Sequence, residues 1–246
     1  MEEKVIKELK GHSGSKIYLM SDEYKKFIRK VGNTKRNYER LISLAGYYPV
    51  PNIYEYNDPV LDMEYIHGLD IKNYLLSGST QNLTNFLLDI LSSFADSVVD
   101  KDYTEVYNKK LEWVDKEDLP FTKDELIAKL PKILPQSQYH GDLTLENILH
   151  SNNDFYMIDA VTIEYDSYIF DIAKLRQDLE CKWFLRDTNL MLDVKLSSIQ
   201  KRILKEFPLA DNDYILILML LRVYLHTKPG DSERQFIMKE INRLWK

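Results

Sequence analysis

Short runs containing apolar residues, separated by glycine- and serine-bearing turn stretches, mark residues 5–31, and after Asp70 apolar positions recur three and four apart in several segments, so strands are expected first and helices later. Three strands are read at Val5–Leu9, Ile17–Met20 and Tyr24–Val31, with a Ser21-Asp22-Glu23 turn before the third. Asn33-Thr34 offers a helix N-cap, and Tyr38, Leu41, Ile42 and Ala45 follow at helical spacing up to Gly46. Pro49 and Pro51 break that helix, and short strands are expected at Ile53–Tyr56 and Val60–Tyr65. Further on, Leu83, Phe86, Leu87, Ile90, Leu91, Phe94, Ala95 and Val98 line one face of an amphipathic core helix. Phe170–Leu175 begins another helix. Leu196, Ile199, Ile203, Leu204 and Phe207 mark a third, ended by Pro208, and Asp211 or Asn212 caps an apolar helix over 214–225 that Pro229-Gly230 stops. Residues 100–125 mix Asp and Glu with Tyr103, Tyr107, Trp113 and Phe121, and are read as a solvated surface in preference to a substrate-facing insert.

Composition narrows the class. With 246 residues, 44% hydrophobic and 29% charged, the chain is an ordinary globular protein with room for two lobes. A net charge of −6 lacks the basic excess of nucleic-acid binders, so no nucleic-acid partner is expected. The longest apolar run, Tyr214–Leu221, is eight residues, far short of the ~20 a membrane span needs. The charged N-terminal MEEKVIKELK has no apolar segment, so no signal peptide is expected. Cys181 is the only cysteine; with no internal disulfide possible, a reducing cytoplasm is the expected location. Beside Trp183, it reads as a small buried apolar residue.

Candidate chemistry concentrates in YHGDLTLENILHSNNDFYMIDA, residues 139–160. Ile148-Leu149 and Phe155–Ile158 flank the polar cluster Ser151-Asn152-Asn153-Asp154, a pattern of strand, tight turn and strand. That hairpin brings Asn147 and Asp159 to one end, with Asp142 on the loop before it. An amide and a carboxylate suit Mg²⁺ on nucleotide phosphates, while a second carboxylate can orient an attacking hydroxyl and take its proton. Isolated Asp and Asn usually cap turns; the fixed spacing in a loop-hairpin context is what favours the functional reading.

The series His140-Gly141-Asp142, four residues, Asn147, then Ile158-Asp159-Ala160 resembles the HRD-x-x-x-x-N and DFG signature of protein kinases. In its HGD and ID form it resembles the aminoglycoside and choline phosphotransferase superfamily, small-molecule kinases of protein-kinase-like fold. The resemblance implies a bilobal α+β protein: an N-terminal antiparallel-sheet lobe with one helix, residues 1–66, and a mainly helical lobe, 67–246. It implies Mg²⁺- and ATP-dependent phosphorylation of a hydroxyl on a small molecule: an amino sugar, a sugar, a choline-like alcohol or a glycan precursor. Asp142 would be the base, His140 would support its loop, and Asn147 and Asp159 would hold Mg²⁺.

The remaining site residues follow from the same resemblance. Strand alternation puts Lys26, Ile28 and Lys30 on one face and Lys25, Phe27, Arg29 and Val31 on the other. In the kinase pattern the apolar residue two before the lysine lines the adenine pocket, so Lys30 is expected on the phosphates, with Arg29 as the alternative, and Lys25 and Lys26 fit a solvated strand. Glu39, the only acid of the first helix, is expected to pair with Lys30. Gly11, Ser13, Gly14 and Ser15 would form a phosphate-covering turn, although a G-x-x-G hairpin by itself is more often structural. Leu61–Gly68 resembles the hinge, where the main chain of Glu64 and Ile66 would meet adenine and Met63 would line the pocket. Asp171 would support the catalytic loop. Ala160-Val161 replaces the aromatic-glycine pair, and Phe170 follows Ala160 by ten positions, too short for a long activation segment, which favours a small-molecule kinase over an atypical protein kinase. The rival from another class is a non-catalytic nucleotide-binding pseudokinase scaffold. Such proteins usually lack the base, the lysine or a metal ligand, and this chain has all of them.

Overall fold

The computed structural model describes residues 3–9, 15–188 and 190–246. In chain order they form β1 (Lys4–Leu9), β2 (Lys16–Ser21), β3 (Lys26–Val31), α1 (Lys35–Leu44), β4 (Ile53–Asn57), β5 (Val60–Glu64), β6 (Leu69–Asp70), α2 (Ile71–Ser77), α3 (Thr80–Ala95), β7 (Val99–Asp102), α4 (Thr104–Lys110), α5 (Lys123–Lys129), β8 (Ile133–Gln136), β9 (Ile148–Ser151), β10 (Asp154–Met157), α6 (Tyr168–Leu179), α7 (Asp193–Glu206), α8 (Asp213–Tyr224) and α9 (Ser232–Leu244). The fold is α+β: an N-terminal antiparallel sheet ordered β1-β2-β3-β5-β4, then a mainly helical remainder carrying the small sheets β10-β9-β6 and β7-β8.

Two compact units divide the chain. One comprises the residues up to Ser77 with His140–Asp142 and Glu146–Ile163; the other comprises Gly78–Tyr139, Leu143–Leu145 and Glu164–Lys246. The expected division at residue 66 follows chain order, whereas compactness groups the hairpin of the motif with the N-terminal sheet.

Within the first unit, β3 is the middle strand, which fixes its faces: a one-residue slip would turn every side chain over. It starts at Lys26 and not, as expected, at Tyr24 directly after the Ser21-Asp22-Glu23 turn. Asp22 Oδ1 accepts the Tyr24 and Lys25 amides, each at 2.8 Å, and the resulting Asx turn takes both residues out of the ladder. α1 buries Asn37, Arg40, Leu41 and Leu44, a stripe rotated from the apolar set read in the sequence because two of its members are polar. In the β9–β10 hairpin, Ser151 pairs with Asp154 across the two-residue turn Asn152-Asn153. Both asparagines have positive φ, 51° and 71°, the conformation that right-twisted hairpins require of such turns.

In the second unit, α3 is capped by Ser79, whose hydroxyl accepts the Asn82 amide, and buries Leu83, Leu87, Ile90, Leu91 and Phe94. It ends at Ala95, so Val98 lies outside the helix and is exposed. Residues 100–125 overturn the expectation of a solvated surface: Tyr103, Tyr107, Leu111, Val114 and Phe121 are buried. Tyr103 packs edge-on against Phe170 with ring centroids 5.1 Å apart, and the Tyr107 hydroxyl donates to Pro131 O at 3.0 Å, so the aromatic rings are core and the acids between them face out. α6 is buried along its whole length. Asn212 caps α8, its Oδ1 accepting the Tyr214 and Ile215 amides, and Ile215–Leu221 is buried all round. Cys181, just past α6, is buried, and burial pushes its thiol up to about 12, the behaviour of an inert packing residue. Among the described residues, no helix is long and apolar enough to cross a membrane.

Candidate active site

Lys30 is buried on β3, and its Nζ lies 2.6 Å from Asp159 Oδ1. The same oxygen accepts from Asn37 Nδ2 at 3.0 Å, and that nitrogen also reaches Ala160 O at 2.8 Å. Asp159 itself has φ 58°, a left-handed conformation that Asp tolerates better than most residues and that turns its carboxylate out of line with β10.

The other motif residues are tied to this turn through backbone groups. Ile158 N donates to Asn147 O at 2.9 Å, so Asn147 and Asp159 do meet at one end of the hairpin. The Asn147 amide nitrogen donates to Asp142 O at 2.8 Å and lies 3.2 Å from Asp142 Oδ2. His140 is fully buried: Nε2 faces Ile158 O at 3.0 Å and Nδ1 accepts the Asp142 amide at 3.3 Å, a pattern that fits a neutral ring protonated on Nε2. Val161 N donates to His140 O at 3.0 Å. Between His140 and Asp142 the chain passes so close to Val161 that a Cβ on Gly141 would sit 2.0 Å from Val161 O, and Gly141 has φ +94°; only glycine fits.

One expected partner is corrected. Glu39 does not pair with Lys30; its side chain is exposed and lies 3.9 Å from Lys35 Nζ, one turn back on α1. Asn37 faces Asp159, and two residues along a helix turn a side chain by about 200°, so Glu39 must point away. Arg29, on the other face of β3, places Nε and Nη2 on Asp62 at 2.8 and 2.6 Å and Nη1 on Glu3 at 2.6 Å, and these bonds raise its pKa. Lys25 and Lys26 are exposed, with Lys25 over the Tyr54 ring.

The sheet gives the lysine its surroundings. Ile28 pairs with Met63 and Lys30 with Leu61 across β3 and β5, so these four side chains share a face. Met63 and Ile66 are buried. Glu64 N donates to Asn52 O at 2.8 Å, so any adenine contact at Glu64 falls to its carbonyl. Ser15 is buried, and its Oγ has no hydrogen-bond partner among the described residues; Gly11, Ser13 and Gly14 lie outside the described residues.

In the second unit Asp171 is buried in the first turn of α6. Asp178, on the same helix, accepts Leu145 N on Oδ2 at 2.6 Å. Sequence reasoning missed Asp178 because an Asp inside a buried helix follows no motif spacing. It missed Asn37 because the buried stripe of α1 holds two polar residues, Asn37 and Arg40, that an apolar count passes over. Among the described residues no group of three or more His, Cys, Asp or Glu side chains could hold a metal; Asn147 and Asp159 offer two oxygen donors, a set that fits a hard dication whose other ligands come from phosphate and water.

No protein-family model matches the sequence, and no curated protein matches it. Solved structures do. A Haemophilus somnus 129PT protein with the provisional name fructosamine-3-kinase matches at TM-score 0.66 and 16% identity, over 100% of this chain and 92% of that one. The fold is that of the aminoglycoside phosphotransferase and choline kinase superfamily. A thermostable mutant of aminoglycoside phosphotransferase APH(4)-Ia, in ternary complex with AMP-PNP and hygromycin B, matches at TM-score 0.63 and 10% identity, over 97% of this chain and 92% of that one. Choline kinase LicA from Streptococcus pneumoniae matches at TM-score 0.55 and 17% identity, over 99% and 93%.

Proposed function

We propose that this protein is a member of that superfamily and an ATP- and Mg²⁺-dependent kinase that phosphorylates a hydroxyl of a small molecule: an amino sugar, a sugar, a choline-like alcohol or a glycan precursor. The observation that carries the reading is the joining of Lys30, Asp159, Asn147 and Asp142 through short hydrogen bonds inside one compact unit. The AMP-PNP complex of APH(4)-Ia supports nucleotide as the donor.

In this reading Lys30 offsets phosphate charge, and the shared face of Ile28 and Met63 lines the adenine side, with the main chain of Glu64 and Ile66 at its edge and Ser15, with Gly11, Ser13 and Gly14, over the phosphates. Asp159 and the carbonyl oxygen of Asn147 would hold Mg²⁺, since the Asn147 NH₂ is already turned to Asp142. When bound, the ion neutralises charge on the transferring phosphoryl group. Asp142, oriented by the Asn147 amide and by the His140 ring under its backbone, takes the acceptor's proton as the acceptor oxygen bonds to phosphorus and the bond to the departing diphosphate breaks. Asp171 would brace the catalytic loop. Residues 1–66 would hold the nucleotide and 67–246 the catalytic loop and the acceptor, in a cytoplasmic protein whose buried single cysteine suits reducing surroundings.

The test is ATP consumption over a panel of amino sugars, sugars, amino alcohols and nucleosides, with Asp142→Asn beside the parent. General-base loss is expected to lower turnover about 10² to 10⁴-fold. Turnover within about threefold of the parent at saturating acceptor removes Asp142 from the base role. Tight nucleotide binding without turnover on any acceptor would favour the scaffold.

A further inference from the structure

Asn37 is a buried amide on the inner face of α1, and its nitrogen spans the turn at Asp159, bonding both Asp159 Oδ1 and Ala160 O. A primary amide nitrogen carries two hydrogens, so both bonds can be made at once. One secures the backbone after a residue with φ 58°, a conformation that needs support from its surroundings. The other secures the carboxylate itself. Arg36, one position earlier, donates from Nε to Thr162 O at 2.6 Å and accepts Thr162 N on its own carbonyl at 3.0 Å. The first turn of α1 and residues 159–162 are therefore joined through main chain and side chains together. Next to Lys30, α1 supplies a neutral donor, and among the described ion pairs of Lys30 the carboxylate is that of Asp159.

We propose that Asn37 is a positioning residue, which holds the Asp159 carboxylate in the orientation a nucleotide-bound dication needs, so that Lys30 and the dication share Asp159 as a common partner. This rests on the kinase reading above. Because Asn37 carries no charge, it can orient Asp159 without competing for Lys30 or for the cation, a division of labour that a carboxylate at this position would not permit. Its loss should fall on dication affinity and spare the metal-free grip on the nucleotide.

The experiment uses the full chain with Asn37→Ala and Asn37→Leu, the second close in size to asparagine but without an N–H. Three quantities are read: the thermal midpoint and amide exchange at Val161 and Thr162 in the free protein, AMP-PNP affinity in EDTA, and Mn²⁺ affinity of the AMP-PNP complex from the EPR signal of free Mn²⁺. Residues that orient a metal ligand typically contribute 10 to 100-fold in affinity, so a loss of about tenfold or more for Mn²⁺ is expected in both variants, with metal-free AMP-PNP affinity kept within about twofold and faster amide exchange at the turn. Parental Mn²⁺ affinity in the folded Leu variant overturns the proposal. Equal loss of metal-free nucleotide binding overturns it too, because that is the mark of general loosening, and so does a failure of both variants to fold. A parent protein that binds no Mn²⁺ with AMP-PNP overturns the kinase reading itself, and the dication role with it, whatever the variants do.

Discussion

At the scale of single residues, the clearest consequence is the asymmetry between Lys30 and Arg29. They are neighbours on β3, yet one is buried on Asp159 and the other reaches Asp62 and Glu3 from the opposite face. Lys30→Met leaves the Asp159 carboxylate without its cation and, on the kinase reading, a phosphate as well, so ATP use is expected to fall by roughly two decades or more. Arg29→Met should cost more stability than the ~1 kcal/mol of an exposed pair, since it leaves the buried Asp62 carboxylate unpaired, and leave turnover near parental. Steady-state kinetics decide between them: a dead Arg29 variant beside a normal Lys30 variant would refute the placement. Gly141 gives a second prediction. A residue other than glycine in its left-handed conformation costs about 1–3 kcal/mol before any clash, and the Cβ would in addition collide with Val161 O. Gly141→Ala should lower both the thermal midpoint and turnover; parental values in both would mean that the loop accommodates a side chain. Asp142, Asn147 and Asp159, the proposed base, amide and metal carboxylate, could be picked out from sequence because they sit at fixed intervals on a loop and hairpin. Asn37 and Glu39 could not be told apart, since the choice depends on the rotation of α1, and its buried stripe includes Asn37 and Arg40, which an apolar count does not include.

At the scale of elements, the strand leading toward the His140–Asp142 loop is held by a carboxylate no motif pointed to. Asp166 accepts Lys101 Nζ on both oxygens at 2.7 and 2.8 Å, the Tyr103 hydroxyl at 2.9 Å and Gln136 Nε2 at 2.6 Å, and its carbonyl takes Ser137 N at 3.1 Å. β7, β8 and the start of α6 are thus fastened at one point, immediately before Tyr139-His140. Burial alone would raise this carboxyl, but the donors from Lys101, Gln136 and Tyr103 outweigh it and hold its pKa below the ordinary value. With the folded pKa depressed, the stabilisation is complete at pH values well above the usual carboxylate range and is lost as pH falls through the folded value. Asp166→Asn should cost about 2 kcal/mol near pH 7, with a smaller deficit in strong acid, as urea titrations across that range would register. A deficit that grows on acidification would contradict this sign. The α4–α5 region shows why such contacts escape sequence reading. Its Asp and Glu residues suggested solvent, but Tyr103 and Tyr107 point inward, and mixed composition over short helices hides a buried face that periodicity reveals only in longer ones.

At the scale of the whole molecule, neither compact unit is a continuous stretch of chain. The unit containing the N-terminal sheet is completed by His140–Asp142 and Glu146–Ile163, and thereby by β9, β10 and Asp159. The order of motifs along the sequence suggested a boundary near residue 66, because hinge-like residues there separate a strand-rich from a helix-rich stretch; nothing local could announce that a hairpin eighty residues later packs with the first stretch. The consequence is testable by truncation. A fragment of residues 1–77 would lose the carboxylate that pairs Lys30, the Pro49 O to Met157 N bond and the strand that pairs with β6. These losses fall together on a small sheet whose whole stability would be only a few kcal/mol, on the order of 5. The fragment should therefore show no cooperative thermal transition and no thermal shift with Mg²⁺ and ATP, while the full chain shows both. Dispersed amide resonances together with nucleotide-induced stabilisation in the fragment would establish that the N-terminal segment folds and binds without its hairpin, and the division of the chain described here would have to be redrawn at the boundary the motif order implied.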